Sequence, residues 1–73
     1  MEIKYIHIKI ARKNIVYLDS IIGAYEGIAV TRTTDAKKGH VELAVPSYFY
    51  EEITWILKDL SRHWFPIKIQ NNP

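Results

Sequence analysis

The sequence predicts an α+β fold in which two helices cover one face of a four-stranded antiparallel sheet. Three patterns predict it. Apolar and polar residues alternate over the first ten positions, apolar residues recur at helical spacing from position 49 to 64, and two more alternating segments flank a polar turn that contains Gly39. The chain has 73 residues, 48% of them hydrophobic and 25% charged. These proportions predict one globular domain over residues 1–73.

The first half of the chain predicts one strand and one helix. Isoleucines alternate with polar or aromatic residues from Tyr5 to Ile10, as expected for a half-buried strand. Asn14 is a favourable helix N-cap, and Gly27 stands where a left-handed residue would end the helix. The apolar residues between them have helical spacing: Ile15, Leu18, Ile22 and Tyr25.

A hairpin is predicted next. Ile28, Val30 and Arg32 alternate with Ala29, Thr31 and Thr33, and we expect the first of these two series to face the helices. After the turn at 34–39, Val41, Leu43 and Val45 form the core-facing side of the third strand.

The second helix has the strongest periodic pattern in the chain. Ser47 is its expected cap, and its apolar stripe consists of Phe49, Ile53, Ile56, Leu57, Leu60 and Trp64. Trp64 is therefore predicted to lie in the core, whereas Trp55 falls outside the stripe. A short last strand follows from Phe65 to Ile69, interrupted by Pro66.

The predicted order β-α-β-β-α-β is that of the ferredoxin-like, or split βαβ, fold, with the first and third strands in the centre. Many unrelated functions occur on this fold, so the function has to be argued from particular residues.

Several short motifs stand out in the sequence: the run from Tyr25 to Val30, Arg32-Thr33, Gly39, Glu42 and Val45-Pro46. Together they resemble a small bacterial family known as a domain of unknown function, DUF4911. The element order is also distantly similar to that of ACT-type regulatory domains, which dimerise and often bind amino acids. Those domains usually place a glycine after the first strand, and residues 11–14 here contain none.

The composition and motifs argue against catalysis. The absence of cysteine excludes disulfides, thiolate metal sites and cysteine nucleophiles. His7 and His40 are expected on the open sheet face near Glu42, where solvent-exposed histidines are the simpler interpretation than a metal or proton-transfer site. We therefore expect no catalytic residue, no cofactor and no metal.

Three residues are weak candidates for contact with a ligand: Glu26, Gly27 and Arg32. Each also has a structural explanation. Gly27 supplies a positive φ after the helix, and Arg32 can extend from the strand end to the carboxylate of Glu26 or Asp35.

The outer helix faces are the strongest candidates for contact with another protein. On the first helix, Val16, Tyr17, Ser20, Gly23 and Ala24 form a side with almost no charge. On the second, Tyr48, Trp55 and Arg62 share a phase nearly opposite the apolar stripe. A compact domain with two such faces is best explained by a protein partner.

We therefore expect a non-catalytic interaction or regulatory module that self-associates, with a dimer favoured. One alternative is an ACT-like sensor that binds a small molecule at a dimer interface, and another is an RNA-binding accessory protein. Lys38-Gly39 fits the start of an RNA-recognition strand, but His40 and Glu42 stand where stacking rings belong. A net charge of +2 also gives little reason to expect nucleic acid as a partner. No apolar run could cross a bilayer and no signal peptide is evident, so no membrane contact and a cytoplasmic location are expected.

Overall fold

The computed structural model describes residues 2–24 and 29–70. The strands are β1 (Ile3–Ile10), β2 (Val30–Asp35), β3 (His40–Pro46) and β4 (Ile67–Ile69), and the helices are α1 (Ile15–Gly23) and α2 (Tyr50–His63). A short 3-10 helix precedes each α-helix, at Arg12–Asn14 and at Ser47–Phe49. The sheet is antiparallel with the strand order β2-β3-β1-β4, so the predicted α+β fold with β1 and β3 in the centre is confirmed.

One core lies between the sheet and both helices. Its buried residues come from β1 (Ile6, Ile8, Ile10), β3 (Val41, Leu43, Val45), α1 (Ile15, Leu18, Ile22) and α2 (Ile53, Leu57, Leu60). Ile6, Ile8 and Ile10 of β1 face the same side as the valines and the leucine of β3, because Ile6 is opposite Leu43 and Ile8 is opposite Val41. The other face of the sheet is left open.

Trp64 is not in the core, contrary to the prediction. α2 ends at His63, and Trp64 has φ −120° and ψ −62°, outside the helical region. The helical period therefore no longer governs where its side chain points, and the side chain is 74% exposed. Phe65 instead packs half-buried against the core. Trp55 is 66% exposed, as its phase predicted.

The predicted phase of β2 is wrong by one residue. Val30 is opposite Ala44 on the open face and is 70% exposed, whereas Thr31 is opposite Leu43 on the core side. The cause is an irregularity in the β2-β3 ladder between Thr33 and Asp35. A register continued unbroken from the pair formed by Asp35 and His40 would set Val30 opposite Val45, facing the core. The extra residue, Thr34, reverses that alternation.

The hairpin turn is held by the side chain of Asp35 and by β1. Gly39 has φ +74°, and its carbonyl accepts a hydrogen bond of 2.9 Å from the amide of Ile10. The amide of Lys38 donates to Asp35 Oδ1 at 3.1 Å. Residues 36–38 are exposed, but Gly39 is buried. The turn is thus anchored at its glycine.

The two residues that were expected to cap the helices through their side chains, Asn14 and Ser47, do not do so. The 3-10 helix at Ser47–Phe49 separates Ser47 from the first turn of α2, and neither Ser47 nor Asn14 makes a side-chain capping hydrogen bond. The predicted helix stop at Gly27, together with Tyr25, Glu26 and Ile28, lies outside the described residues. No helix among residues 2–24 and 29–70 is long and apolar enough to span a membrane.

Candidate interaction surfaces

A groove of about 600 Å³ separates α1 from the end of α2. We call it the interhelical groove, and it is lined by Asn14, Tyr17, Ser20, Ile21, Asp59, Leu60, Trp64 and Phe65. Tyr17 (63% exposed) lines the groove from α1, and Trp64 lines it from the residue that follows the end of α2. Leu60 is buried and Ile21 and Phe65 are partly buried against the core, which makes the groove largely apolar.

The interhelical groove carries almost no charge. Among the described residues, Asp59 is the one carboxylate that lines it, and Asp59 Oδ1 lies 3.5 Å from His63 Nε2, one helical turn away. Exposed aromatic rings beside an apolar floor, with few charges, are the composition of a protein-interface core.

The residues that were predicted to form an interface lie on different surfaces of the structure. Tyr17 and Ser20 line the interhelical groove, whereas Val16 and Gly23 of α1, and Ala24 directly after it, are exposed outside the groove. On the other helix, Trp55 lines a separate shallow depression of about 410 Å³ with Glu51, Glu52 and Ile56. Arg62 is exposed beyond that depression. Tyr48 precedes α2, and its ring lies 4.7 Å from that of Phe49.

Arg32 takes part in a row of side chains across the open sheet face. β-ladder register sets it opposite Glu42, which is in turn opposite His7. Arg32 Nη2 lies 3.6 Å from Glu42 Oε1, and His7 Nδ1 lies 4.0 Å from Glu42 Oε2. Arg32 therefore pairs with Glu42, not with Asp35 as predicted. Its other predicted partner, Glu26, lies with Gly27 outside the described residues.

The two histidines of the open face do not converge. His7 is opposite Glu42, whereas His40 is opposite Lys9, two residues further along β1. Within residues 2–24 and 29–70, no group of three or more histidine, aspartate or glutamate side chains could hold a metal ion.

A second concave surface lies at one end of the sheet, and sequence reasoning missed it. We call it the cationic cleft. It has a volume of about 510 Å³ and is lined by Lys9, Ile10, Ala11, Arg12, Lys37, Lys38, Pro66, Ile67 and Lys68. Three separate segments build it: the end of β1 with the residues after it, the hairpin turn, and the start of β4.

The cationic cleft was in principle visible in the sequence. In a β-α-β-β-α-β fold the connection after the first strand, the hairpin turn and the start of the last strand share one end of the sheet. Each of these segments carries lysine or arginine: Lys9 and Arg12, then Lys37 and Lys38, then Lys68. The net charge of +2 does not reveal this cluster, because it sums these cations with the carboxylates elsewhere in the chain.

Comparison with known proteins gives a family and no function. No curated protein and no solved structure matches the chain. One family model matches residues 8–63, and its description is "Domain of unknown function (DUF4911)". The match spans both helices, β2, β3, the last three residues of β1 and the residues of the resemblance noted above. The chain therefore belongs to the DUF4911 family.

Proposed function

We propose that this protein is a non-catalytic module that self-associates through the interhelical groove. The observation that carries the proposal is the pair of exposed rings, Tyr17 and Trp64, on the walls of an apolar groove. Large aromatic side chains that stand in water on a small domain are the residues that most often anchor protein interfaces.

A second copy of the chain is the occupant that the surface properties favour. The groove is apolar and nearly uncharged, so two copies of this surface match in polarity and charge, as a two-fold symmetric contact requires. A net charge of +2 gives little repulsion between copies. A stable dimer buries about 800 Å² on each partner. That is about a sixth of this chain's accessible surface of 5131 Å², an area that one side of the molecule can supply.

A non-catalytic role is supported by how the polar side chains are engaged. Ser61 Oγ accepts a hydrogen bond from the Ile67 amide at 3.0 Å and donates to the Ile67 carbonyl at 3.3 Å. His63 and His7 each lie beside a carboxylate, Asp59 and Glu42 respectively. None of these arrangements pairs a hydroxyl nucleophile with a base, which hydroxyl-based covalent catalysis requires.

Two tryptophan variants test the proposal. Trp64→Ala should raise the dimer dissociation constant by about 30-fold or more, since an interface anchor contributes about 2 kcal/mol or more. The same change should lower the free energy of unfolding of the monomer by less than about 1 kcal/mol, because the side chain is exposed. Sedimentation or light scattering over a concentration series measures the first effect, and denaturant unfolding at low concentration measures the second.

Trp55→Ala is the matched control, since it removes a tryptophan of similar exposure outside the groove. It should leave the dissociation constant unchanged. If Trp55→Ala weakens association and Trp64→Ala does not, the contact lies along the outer face of α2 and the groove is not the interface. A parent protein that stays monomeric at several hundred micromolar would contradict self-association altogether.

A further inference from the structure

We propose that the cationic cleft binds a compact polyphosphate anion, such as the triphosphate group of a nucleotide. This site is distinct from the interhelical groove and goes beyond the proposed self-association. Three features of the cleft lead to it: the concentration of unpaired charge, the register of two lysines, and the anchored hairpin turn.

The cleft concentrates cations. It brings together Lys9, Arg12, Lys37, Lys38 and Lys68, half of the ten lysines and arginines in the sequence. Among residues 2–24 and 29–70, no carboxylate lines the cleft, and none of the five cations forms an ion pair within 4.0 Å. Arg32, outside the cleft, does pair with a carboxylate. Concentrated charge of one sign in a concave surface attracts and orients anions.

Two of these cations lie directly across from each other. Lys9 of β1 is opposite Lys68 of β4 on the open face of the sheet. Like charges directly opposite in an antiparallel pair destabilise the sheet. β4 has only three residues, so this unfavourable pair occupies the middle of its ladder. A bound anion between the two ammonium groups would turn the repulsion into attraction.

The opposite wall of the cleft is held in place. The hydrogen bond from the Ile10 amide to the Gly39 carbonyl ties the hairpin turn to the end of β1, and the Lys38 amide is bonded to Asp35. Lys37 and Lys38 therefore project from a turn of fixed backbone beside Lys9 and Arg12. A site whose backbone is already ordered loses less entropy when a ligand binds.

The surroundings favour a compact anion over a nucleic-acid strand. The cleft volume of about 510 Å³ lies in the range of small-molecule sites. The adjoining sheet face offers no row of aromatic rings for stacked bases, because Glu42 is at its centre and Tyr5 lies four residues from Lys9 along β1. Multiple phosphates at short spacing match five convergent cations in a small volume.

The experiment compares two double variants that remove the same net charge. Sodium triphosphate is titrated at about 10 mM ionic strength, where the Debye length of about 30 Å leaves the charges unscreened. Lys37→Gln/Lys38→Gln should weaken the affinity by about tenfold or more, since charge-assisted contacts are lost. Lys58→Gln/Arg62→Gln, on the exposed side of α2, should bind as the parent does. A 12-nucleotide single-stranded RNA is titrated in parallel as a polyanion control.

A single variant separates a ligand role from a structural one. Lys68→Gln should raise the melting temperature of the protein in anion-free buffer, by about 2 °C or more, because the repulsion with Lys9 is removed. It should also abolish most of the stabilisation that triphosphate gives the parent. A residue needed only for folding would lower the melting temperature instead.

The other outcomes overturn the proposal. They are no binding of triphosphate by the parent, equal loss of affinity in both double variants, or tight binding of the RNA without binding of triphosphate. The second outcome would show attraction to net charge alone, and the third would assign the cleft to a nucleic-acid backbone.

Discussion

Gly39 occupies a position that leaves no room for a side chain. A Cβ built there would lie 1.8 Å from the Ile10 carbonyl oxygen, and the φ of +74° is one that other residues rarely adopt. Because the contact is with backbone, no side-chain rearrangement relieves it. We expect Gly39→Ala to lower the free energy of unfolding by at least about 2 kcal/mol. In a domain of this size that shifts the melting temperature by about 8 °C or more.

Gly23 provides the matched control for that experiment. It is the last residue of α1, and a Cβ there would meet nothing within 4 Å. Gly23→Ala should raise the free energy of unfolding by up to about 1 kcal/mol, as helix propensity predicts. Thermal unfolding of both variants beside the parent tests the pair. Similar destabilisation by both would contradict the role given to the contact between Gly39 and Ile10.

Single residues were predicted well where a periodic element continued, and poorly at its ends. Ile53, Leu57 and Leu60 follow the helical period inside α2, and all three are buried. Position 64 has the same helical spacing from these residues, but the helix ends one residue before Trp64. Pro66, two residues further on, and the basic residues Arg62 and His63 indicate that the helix stops nearby, but they do not fix the exact residue at which it stops.

At the scale of elements, the edge strand β2 shows why the phase of a strand needs its partner. Its two faces are nearly equal in apolar character, with Val30 on one and Thr31 and Thr33 on the other. The pairing with β3, together with the irregularity before Asp35, determines which of the two faces is turned toward the core. Thr34 Oγ1 donates to the His40 carbonyl at 3.2 Å beside that irregularity, and Thr31 Oγ1 donates to Asp19 Oδ1 of α1 at 2.8 Å.

A pair of lysine substitutions tests the phase of β2. Thr31→Lys should lower the free energy of unfolding by about 1 kcal/mol or more, because it removes the hydrogen bond to Asp19 and brings a charge toward the core. Val30→Lys should change it by less than about 0.5 kcal/mol, as expected of an exposed site. Chemical denaturation measures both. A larger loss of stability in Val30→Lys than in Thr31→Lys would contradict this phase and would support the sequence prediction, in which Val30 faces the core.

At the scale of the whole molecule, the topology was predictable and the surfaces were only partly so. Strand order and core follow from alternation, helical period and the rules for connections, none of which depends on exact element ends. The interhelical groove depends on where α2 stops, because Trp64 forms one of its walls. The cationic cleft depends only on topology and could have been derived.

The placement of charge in this fold also gives the molecule a permanent electric dipole along its strands. The cationic cleft occupies one end, whereas Glu51 and Glu52 open α2 at the other, where the Ser47 amide bonds to the Glu2 carbonyl. The molecule therefore binds to a cation-exchange resin with the cleft end toward the resin, and that end determines its retention.

Glu51→Gln/Glu52→Gln, which adds two units of net charge, should leave the eluting salt concentration almost unchanged. Lys37→Gln/Lys38→Gln should lower it markedly. Equal and opposite shifts would mean that the resin responds to net charge alone. An oriented dipole implies that the protein approaches any anionic surface with one end leading, before any specific contact forms.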